Sequence, residues 1–148
     1  MNIMSIDRCL SIFQDLAMKI IFDKLKEGRS YPVTHRDIRQ LFKILPDHWI
    51  GRIKLVHFLG QEPHASRFSR PVRIESMSYK LNLSILGLTK DQVIKEILIE
   101  LIQESGDEPN LRSKSFRELD KNQIRRINDI MATYVNRFNN SMKENDNN

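Results

Sequence analysis

The chain has 148 residues, of which 40% are hydrophobic and 29% charged. These ordinary globular values exclude wholesale disorder and predict one domain with a single core. No stretch approaches the roughly 20 apolar residues that a membrane span needs, so we expect no membrane partner. Cys9 is the only cysteine, which excludes an internal disulfide and makes a reducing cytoplasm the expected compartment.

The net charge of +5 is distributed unevenly along the chain. Residues 31–80 carry nine Lys/Arg against four Asp/Glu, whereas residues 81–110 carry two against six. Residues 111–148 are basic again, with eight against five. This distribution suits a polyanionic or acidic partner, but it also suits segments that neutralise one another within the fold.

The first third of the chain predicts two helices and a strand. Residues 5–26 carry apolar side chains at three- and four-residue spacing, which is typical of an amphipathic helix. Residues 34–37 have the spacing of a capping box, so a short helix is expected over 34–45, before Pro46. Residues 52–59 follow as a strand with apolar residues on both faces, which indicates an internal strand.

The middle of the chain predicts the rest of the sheet. Residues 60–71 have no clear period and contain two prolines and a glycine, so we expect a loop or a loosely held edge. Val72 and Ile74 suggest a short strand. Apolar and polar residues alternate over 78–86, which predicts a half-buried strand.

The last third predicts two helices and a tail. Thr89 and Gln92 form a second capping box, and the continuous apolar stripe that follows predicts a core helix over 90–104. A last helix is expected over about 115–138, and the polar residues 139–148 are expected to be a disordered tail. The sequence therefore predicts one α+β domain over 1–138, with a small sheet of three to four strands, at about 52–86, packed by helices before and after it.

The residue pattern gives little support for catalysis. The four histidines have no i, i+4 pair on a predicted helix, so no metal site is expected, and His57 reads as a core or edge histidine. Neither a Gly-x-Ser-x-Gly elbow nor a phosphate-binding glycine loop is present. We therefore expect no catalytic residues and no cofactor.

One segment resembles a known catalytic frame. The stretch VIKEILIEL follows a predicted strand and is loosely similar to the x-x-His-Glu-x-x-His helix of zincin-type metallopeptidases. The order helix, strand, edge segment, strand, helix is similar to a minimal zincin core over about half of the chain. The resemblance puts Glu96 at the position of the general base, with Lys95 and Ile99 where histidine ligands belong. It therefore implies a metal-free, inactive homologue.

Two basic groups are candidate binding sites. The first lies in the irregular segment, where basic residues recur every three positions around an aromatic side chain: His64, Arg67, Phe68, Arg70 and Arg73. Such a group suits an acidic partner or a single-stranded nucleic acid. Its arginines could equally pair with the acidic residues of the helix expected over 90–104. The second is an outward stripe of the last helix: Arg117, Lys121 and Arg125. It has the form of a phosphate-contacting helix, although such stripes are commonly solvated faces.

The sequence thus predicts a non-enzymatic cytoplasmic binding domain, whose partner is a protein with an acidic surface. An inactive zincin-like homologue and a nucleic-acid-binding accessory protein are the alternatives, and only weak nucleic-acid binding is expected. The sequence predicts no oligomeric state.

Overall fold

The structure is a computed structural model, and it describes residues 18–62, 69–75, 78–105, 107 and 118–146. Within these residues the strands are β1 (Lys19–Phe22), β2 (Ile53–Phe58), β3 (Ser69–Glu75) and β4 (Ser78–Leu83). The helices are α1 (His35–Ile44), α2 (Asp47–Ile50), α3 (Lys90–Glu104) and α4 (Lys121–Asp146).

The four strands form one mixed sheet in the order β1-β2-β4-β3. β1, β2 and β4 are parallel, and β3 pairs antiparallel with β4 at the edge. The segment that connects β1 to β2 contains α1 and α2, and α3 and α4 follow the sheet. The predicted α+β class, with a small sheet packed by helices before and after it, is confirmed.

The first strand corrects the predicted helix over residues 5–26. Residues 19–22 are a strand, and residues 5–17 lie outside the part of the chain that the structure describes. β1 takes its backbone pairing from β2, and its Phe22 ring stacks on Phe58 with centroids 4.5 Å apart. The segment KIIF is rich in β-branched residues, so pairing with a distant strand overrides the helical spacing.

Both predicted capping boxes are present and fix where two helices begin. At α1, Thr34 Oγ1 accepts from Asp37 N–H at 3.2 Å, and Asp37 Oδ2 accepts from Thr34 N–H at 2.8 Å. At α3, Thr89 and Gln92 exchange the same two bonds, at 3.1 and 2.8 Å. Each box satisfies backbone donors that the first helical turn leaves unpaired.

The core lies between one face of the sheet and the helices. Val56 and Phe58 of β2 and Leu81 and Leu83 of β4 are fully buried there. The predicted stripe of α3 packs against them, because its core-facing side chains are buried: Val93, Ile94, Ile97, Leu98, Leu101 and Ile102. α4 completes this layer with its buried residues, among them Ile127 and Phe138. All of these residues belong to one cluster.

The C-terminal helix is longer than predicted. It begins at Lys121 rather than near residue 115 and continues to Asp146, through most of the predicted disordered tail 139–148. Ser141 forms a hydrogen bond with Gln40 of α1, and Met142 packs against the core. These long-range contacts stabilise the last turns, although the sequence there is strongly polar. Residues 115–117 and 147–148 lie outside the described part of the chain.

Candidate functional site

Strand alternation divides the sheet into two faces. On β2, Val56 and Phe58 are fully buried in the core, whereas Leu55 and His57 between them are half-buried. On β4, Leu81 is buried on the core side, and its neighbours Lys80 and Asn82 are half-buried. Because successive side chains point to opposite faces, these half-buried residues lie on the face opposite the core. We call it the second face.

The second face consists of two rows of residues that cross all four strands. The ladder pairs of the first row are formed by Lys19, Leu55, Lys80 and Val72. The ladder pairs of the second row are formed by Ile21, His57, Asn82 and Arg70. The rows combine three apolar residues with three cationic ones, and neither contains a carboxylate.

The apolar part of the second face is separate from the core. Ile21 is 42% exposed, and among the described residues it is the only large hydrophobic side chain that is exposed. Among the described residues, neither Ile21 nor Leu55 belongs to the core cluster or is one of the side chains packed against it. The described helices place their buried residues in the core on the other side of the sheet. The second face is therefore a distinct apolar and cationic surface.

A histidine–aspartate pair lies at the end of this face. Asp23 directly follows β1, and its N–H donates to the carbonyl of Phe58 at 3.0 Å, which extends the ladder by one residue. Asp23 Oδ1 is 2.6 Å from His57 Nε2, and Asp23 Oδ2 accepts from the backbone N–H of Gly60 at 3.1 Å. A Cβ on Gly60 would lie 3.3 Å from the Asp23 Cβ, so the close approach of this loop favours glycine.

These bonds keep the Asp23 side chain ionised. The hydrogen bond with His57 lowers the pKa of Asp23, and the bond from Gly60 and the positive charge of Lys80 lower it further, against a smaller opposing effect of burial. The carboxylate is therefore engaged by donors of its own chain at neutral pH. It therefore carries a negative charge beside the second face, opposite the three cationic positions Lys19, Lys80 and Arg70.

Two polar atoms beside this pair lack hydrogen-bond partners. His57 Nδ1 and Asn82 Oδ1 are buried, and neither has a partner in the described part of the chain. His57 and Asn82 are ladder partners on neighbouring parallel strands. An unsatisfied buried polar group costs about 1–3 kcal/mol, so hydrogen bonds to these two atoms would be favourable. The two residues occupy the middle of the second row, between the positions of Ile21 and Arg70.

The structure separates the residues of the first predicted basic site. His64, Arg67 and Phe68 lie outside the described residues. Arg70 and Arg73 lie on β3, where Arg70 is opposite Asn82 and Arg73 is opposite Tyr79. These two positions belong to opposite faces of the sheet, because a three-residue spacing changes face in a strand. Only the Arg70 position joins the second face.

The position of Arg73 is close to acidic side chains of α3. Tyr79, its ladder partner, is buried in the core, and burial raises the pKa of Tyr79 well above its usual range. The carboxylates of Glu104 and Glu100 raise this pKa further, which places them near the phenol. The acidic edge of α3 is thus close to the strand position of Arg73, as the pairing alternative for the arginines requires.

The positions that resemble a zincin motif do not fit a zinc ion. Lys95 is exposed and forms an ion pair with Asp91 at 2.8 Å, and Ile99 packs against the core. Neither side chain can ligate zinc. Glu96 is half-buried, and burial raises its pKa. Over the described ranges, no three His, Cys, Asp or Glu residues are grouped so that they could hold a metal ion.

The second predicted basic stripe lies on α4. Lys121 and Arg125 are exposed on this helix, one turn apart, and Arg117 lies outside the described residues. Both side chains lie away from the buried Ile127 and Phe138. The structure thus places this stripe on the outer side of the helical layer, far from the second face.

No protein-family profile, no curated protein and no solved structure matches the chain. None of the helices in the described ranges combines the length and the apolar character that crossing a bilayer requires.

Proposed function

We propose that the protein is a non-enzymatic, cytoplasmic binding domain whose second face docks a protein with an acidic surface. The observation that carries this proposal is the composition of the two rows, which together contain three apolar and three cationic positions, the two kinds alternating along the first row. Protein interfaces commonly combine apolar contacts with charged residues that select the partner.

The parallel strands support a covered second face. Sheets built from parallel strands usually have both faces covered. The helical layer covers one face, and β1, β2 and β4 are parallel. Leu55 is half-buried in the middle of the other face. A docked protein would bury Ile21 and Leu55 together and would thereby gain hydrophobic free energy.

Charge complementarity selects an acidic partner. Lys19 and Lys80 lie in the same row, and the next row ends at the Arg70 position. The carboxylate of Asp23 adds one negative charge near this face, and the three cationic positions outnumber it. An acidic surface would therefore associate faster and would show an affinity that falls with salt.

The β3 edge of the sheet is a less suitable docking place than the second face. β3 is an edge strand of the described sheet, and an unpaired edge can accept a strand from another protein. However, Pro71 has no N–H to donate, and the strand carries two arginines. Prolines and charged residues in an edge strand hinder its pairing with a strand of another protein. We therefore favour docking on the face.

The proposal is tested with variants of the second face. Immobilised protein first recovers a partner from a cell extract, and the purified partner is then titrated by calorimetry. We expect Ile21→Asp and Lys19→Glu each to weaken binding by about tenfold or more, because they place a carboxylate in the interface. Both residues are exposed, so the fold should be retained.

Lys95→Glu is the matched control for Lys19→Glu. It reverses an exposed charge on α3, remote from the second face, and should leave the affinity within about twofold. Equal affinities for the wild-type protein, Ile21→Asp and Lys19→Glu would refute docking on this face. Loss of binding in the Lys95→Glu variant alone would instead assign docking to the helical layer.

An inactive zincin-like core is the second candidate, favoured by the order of the elements. The resemblance implies helix, strand, edge segment, strand and helix, and α1, β2, β3, β4 and α3 occur in this order, with the short helix α2 between α1 and β2. β3 lies at the sheet edge, as an edge segment should. Lys95 and Ile99 would then mark positions at which zinc ligands are missing.

The zincin-like reading is tested by completing its motif. The wild-type protein should contain no stoichiometric zinc and cleave no peptide pool, because Lys95 and Ile99 cannot ligate the ion. The double variant Lys95→His, Ile99→His carries two histidines one turn apart around Glu96 and should bind about one zinc per chain. Failure of a folded double variant to bind zinc would count against the resemblance, as would zinc in the wild-type protein.

A further inference from the structure

The β1 edge of the sheet lacks the features that protect the β3 edge. β1 and β3 are the two outer strands of the described sheet. β3 carries a proline and two arginines, whereas β1 has the sequence KIIF, with no proline and a single charged residue. Among the described strands, none pairs with the outer side of β1. An apolar edge of this kind can accept a strand from another chain.

Two residues of β1 direct their backbone groups away from the sheet. Asp23 N–H donates to the Phe58 carbonyl of β2 at 3.0 Å, and successive residues of a strand direct their N–H and C=O groups to opposite sides. Ile21, two residues before Asp23, therefore also faces β2, whereas Ile20 and Phe22 face outward. Their N–H and C=O groups are the ones that a further strand would bond.

The sequence around Ile21 is complementary to itself in an antiparallel register. When Ile21 is opposite Ile21 of a second copy, Ile20 is opposite Phe22, and Lys19 is opposite Asp23. Each apolar residue then meets an apolar one, and each charged residue meets the opposite charge. Such cross-strand pairs stabilise an antiparallel ladder.

The backbone geometry agrees with the same register. Ile20 and Phe22 face outward, so they would form hydrogen-bonded pairs that exchange both N–H···O=C bonds. Ile21 and the Lys19–Asp23 pair would then occupy non-hydrogen-bonded positions, where opposite side chains are closest. Apolar contact and charge pairing are therefore strongest at the positions where the complementary side chains lie.

The side chains at this edge have surface left to bury. Lys19 and Ile21 are exposed, and Ile20 and Phe22 are only half-buried. Ile21 is the large hydrophobic side chain with the highest exposure in the described part of the chain. Pairing would cover it with its own equivalent and would extend the apolar contacts of Phe22, which already stacks on Phe58.

We propose that β1 pairs antiparallel with β1 of a second copy of this chain, about a two-fold axis at Ile21. The two sheets then become one continuous sheet. In a two-fold interface each contact occurs twice, so the Lys19–Asp23 pair and the Ile20–Phe22 pair are both duplicated. A strand of an unrelated protein would not need to match this register, which favours a second copy as the occupant.

Dimerisation at this edge goes beyond docking of a partner on the second face and does not depend on it. Residues opposite each other in a ladder share a face, so the second faces of both copies would lie on the same side of the joined sheet. Leu55, Lys80 and the Arg70 position would stay open to a partner. The oligomeric state is measured without any partner, so either proposal can fail while the other stands.

The test is sedimentation velocity of the full chain from about 1 to 500 μM. A short edge interface predicts a weak dimer, with a dissociation constant of about 1–100 μM. Ile21→Lys and Ile21→Glu each put like charges opposite one another at the axis, so each should weaken dimerisation by at least about tenfold. An equimolar mixture of the two variants puts Lys opposite Glu and should restore the dimer.

Ala132→Lys and Ala132→Glu are the matched controls, because Ala132 is exposed on α4, remote from β1. Both should dimerise like the wild-type protein, and mixing them should change nothing. A wild-type protein that stays monomeric up to about 500 μM would overturn the proposal. Unchanged dimerisation of the two Ile21 variants would do the same, and so would a mixture of them that gains no dimer.

A cysteine at position 21 tests the register without relying on charge. Non-hydrogen-bonded partners have Cα atoms about 4.5 Å apart, which is within the range that a disulfide spans. In a chain with Cys9→Ser, Ile21→Cys should therefore form a covalent dimer on mild oxidation. Lys95→Cys in the same background should stay monomeric. Equal cross-linking of the two variants, or none at position 21, would refute the two-fold axis at Ile21.

Discussion

Arg70 and Arg73 are three residues apart on β3, and their ladder positions belong to opposite faces of the sheet. Arg70 is opposite Asn82 on the second face, and Arg73 is opposite Tyr79 on the core side. The two arginines are therefore expected to do different things. One position extends the proposed docking surface, and the other lies near the acidic edge of α3.

The first prediction separates these two arginines. Arg70→Gln should weaken binding of the partner by about tenfold and leave the free energy of unfolding nearly unchanged. Arg73→Gln should leave binding unchanged and reduce the free energy of unfolding by up to about 1 kcal/mol, as loss of a surface ion pair does. Calorimetric titration and urea unfolding of both variants check this, and equal effects on binding would contradict the assignment to faces.

The second prediction concerns the core stripe of α3. Leu101 is 1% exposed, so Leu101→Ala should reduce the free energy of unfolding by about 2–5 kcal/mol. Ile99→Ala is the control, because Ile99 is only partly buried, and this substitution should reduce the free energy of unfolding by less than Leu101→Ala does. Urea unfolding measures both. A cost below about 0.5 kcal/mol for Leu101→Ala would show that the helix register is wrong.

The third prediction concerns the buried carboxylate that joins two helices. Asp37 is 5% exposed, caps α1 through Thr34 and lies 2.9 Å from Lys90 Nζ at the start of α3. Burial acts to raise the pKa of Asp37, but the bonds from Lys90 and Thr34 outweigh it, so the pKa is lowered from its ordinary value of 3.8. Asp37→Asn should reduce the free energy of unfolding by about 1–3 kcal/mol near neutral pH.

The sign of the pH dependence follows from the lowered pKa. Because the folded protein binds the Asp37 proton less tightly than the unfolded chain does, ionised Asp37 stabilises the fold above a pH of about 3.8. This contribution is lost as the pH falls below that value, through the folded pKa. The difference in the free energy of unfolding between wild type and Asp37→Asn should therefore become smaller in acid. A difference that stays constant down to a pH of about 2 would contradict this assignment to Asp37.

The parts of the fold that the sequence predicts are those with local signals. The Thr34 and Thr89 boxes form within three residues, and the stripe of α3 repeats over four turns. β1 has no such signal, because it is four residues long and its pairing comes from β2, more than thirty residues later. The end of α4 also lacks a local signal, because its contact is long-range: Ser141 forms a hydrogen bond with Gln40, 101 residues away in the sequence.

The second face could be predicted only in fragments. The sequence predicts His57 as a core or edge histidine. It does not indicate Asp23 as the hydrogen-bond partner of His57, because residues 5–26 have the apolar spacing of a helix. Once β1 and β2 are paired in register, Asp23 and His57 meet at the same end of the sheet. The basic spacing of residues 64–73 predicts one surface, but strand geometry divides Arg70 from Arg73. Pairing register, which is not a local property, decides both outcomes.

The most direct test of the central claim is the acetylation rate of single lysines, measured by mass spectrometry with and without the purified partner. Docking on the second face predicts that Lys19 and Lys80 become protected by about tenfold or more, while Lys95 and Lys143 keep their rates. Protection of Lys143 with unchanged rates at Lys19 and Lys80 would contradict the claim and would place the partner on α4.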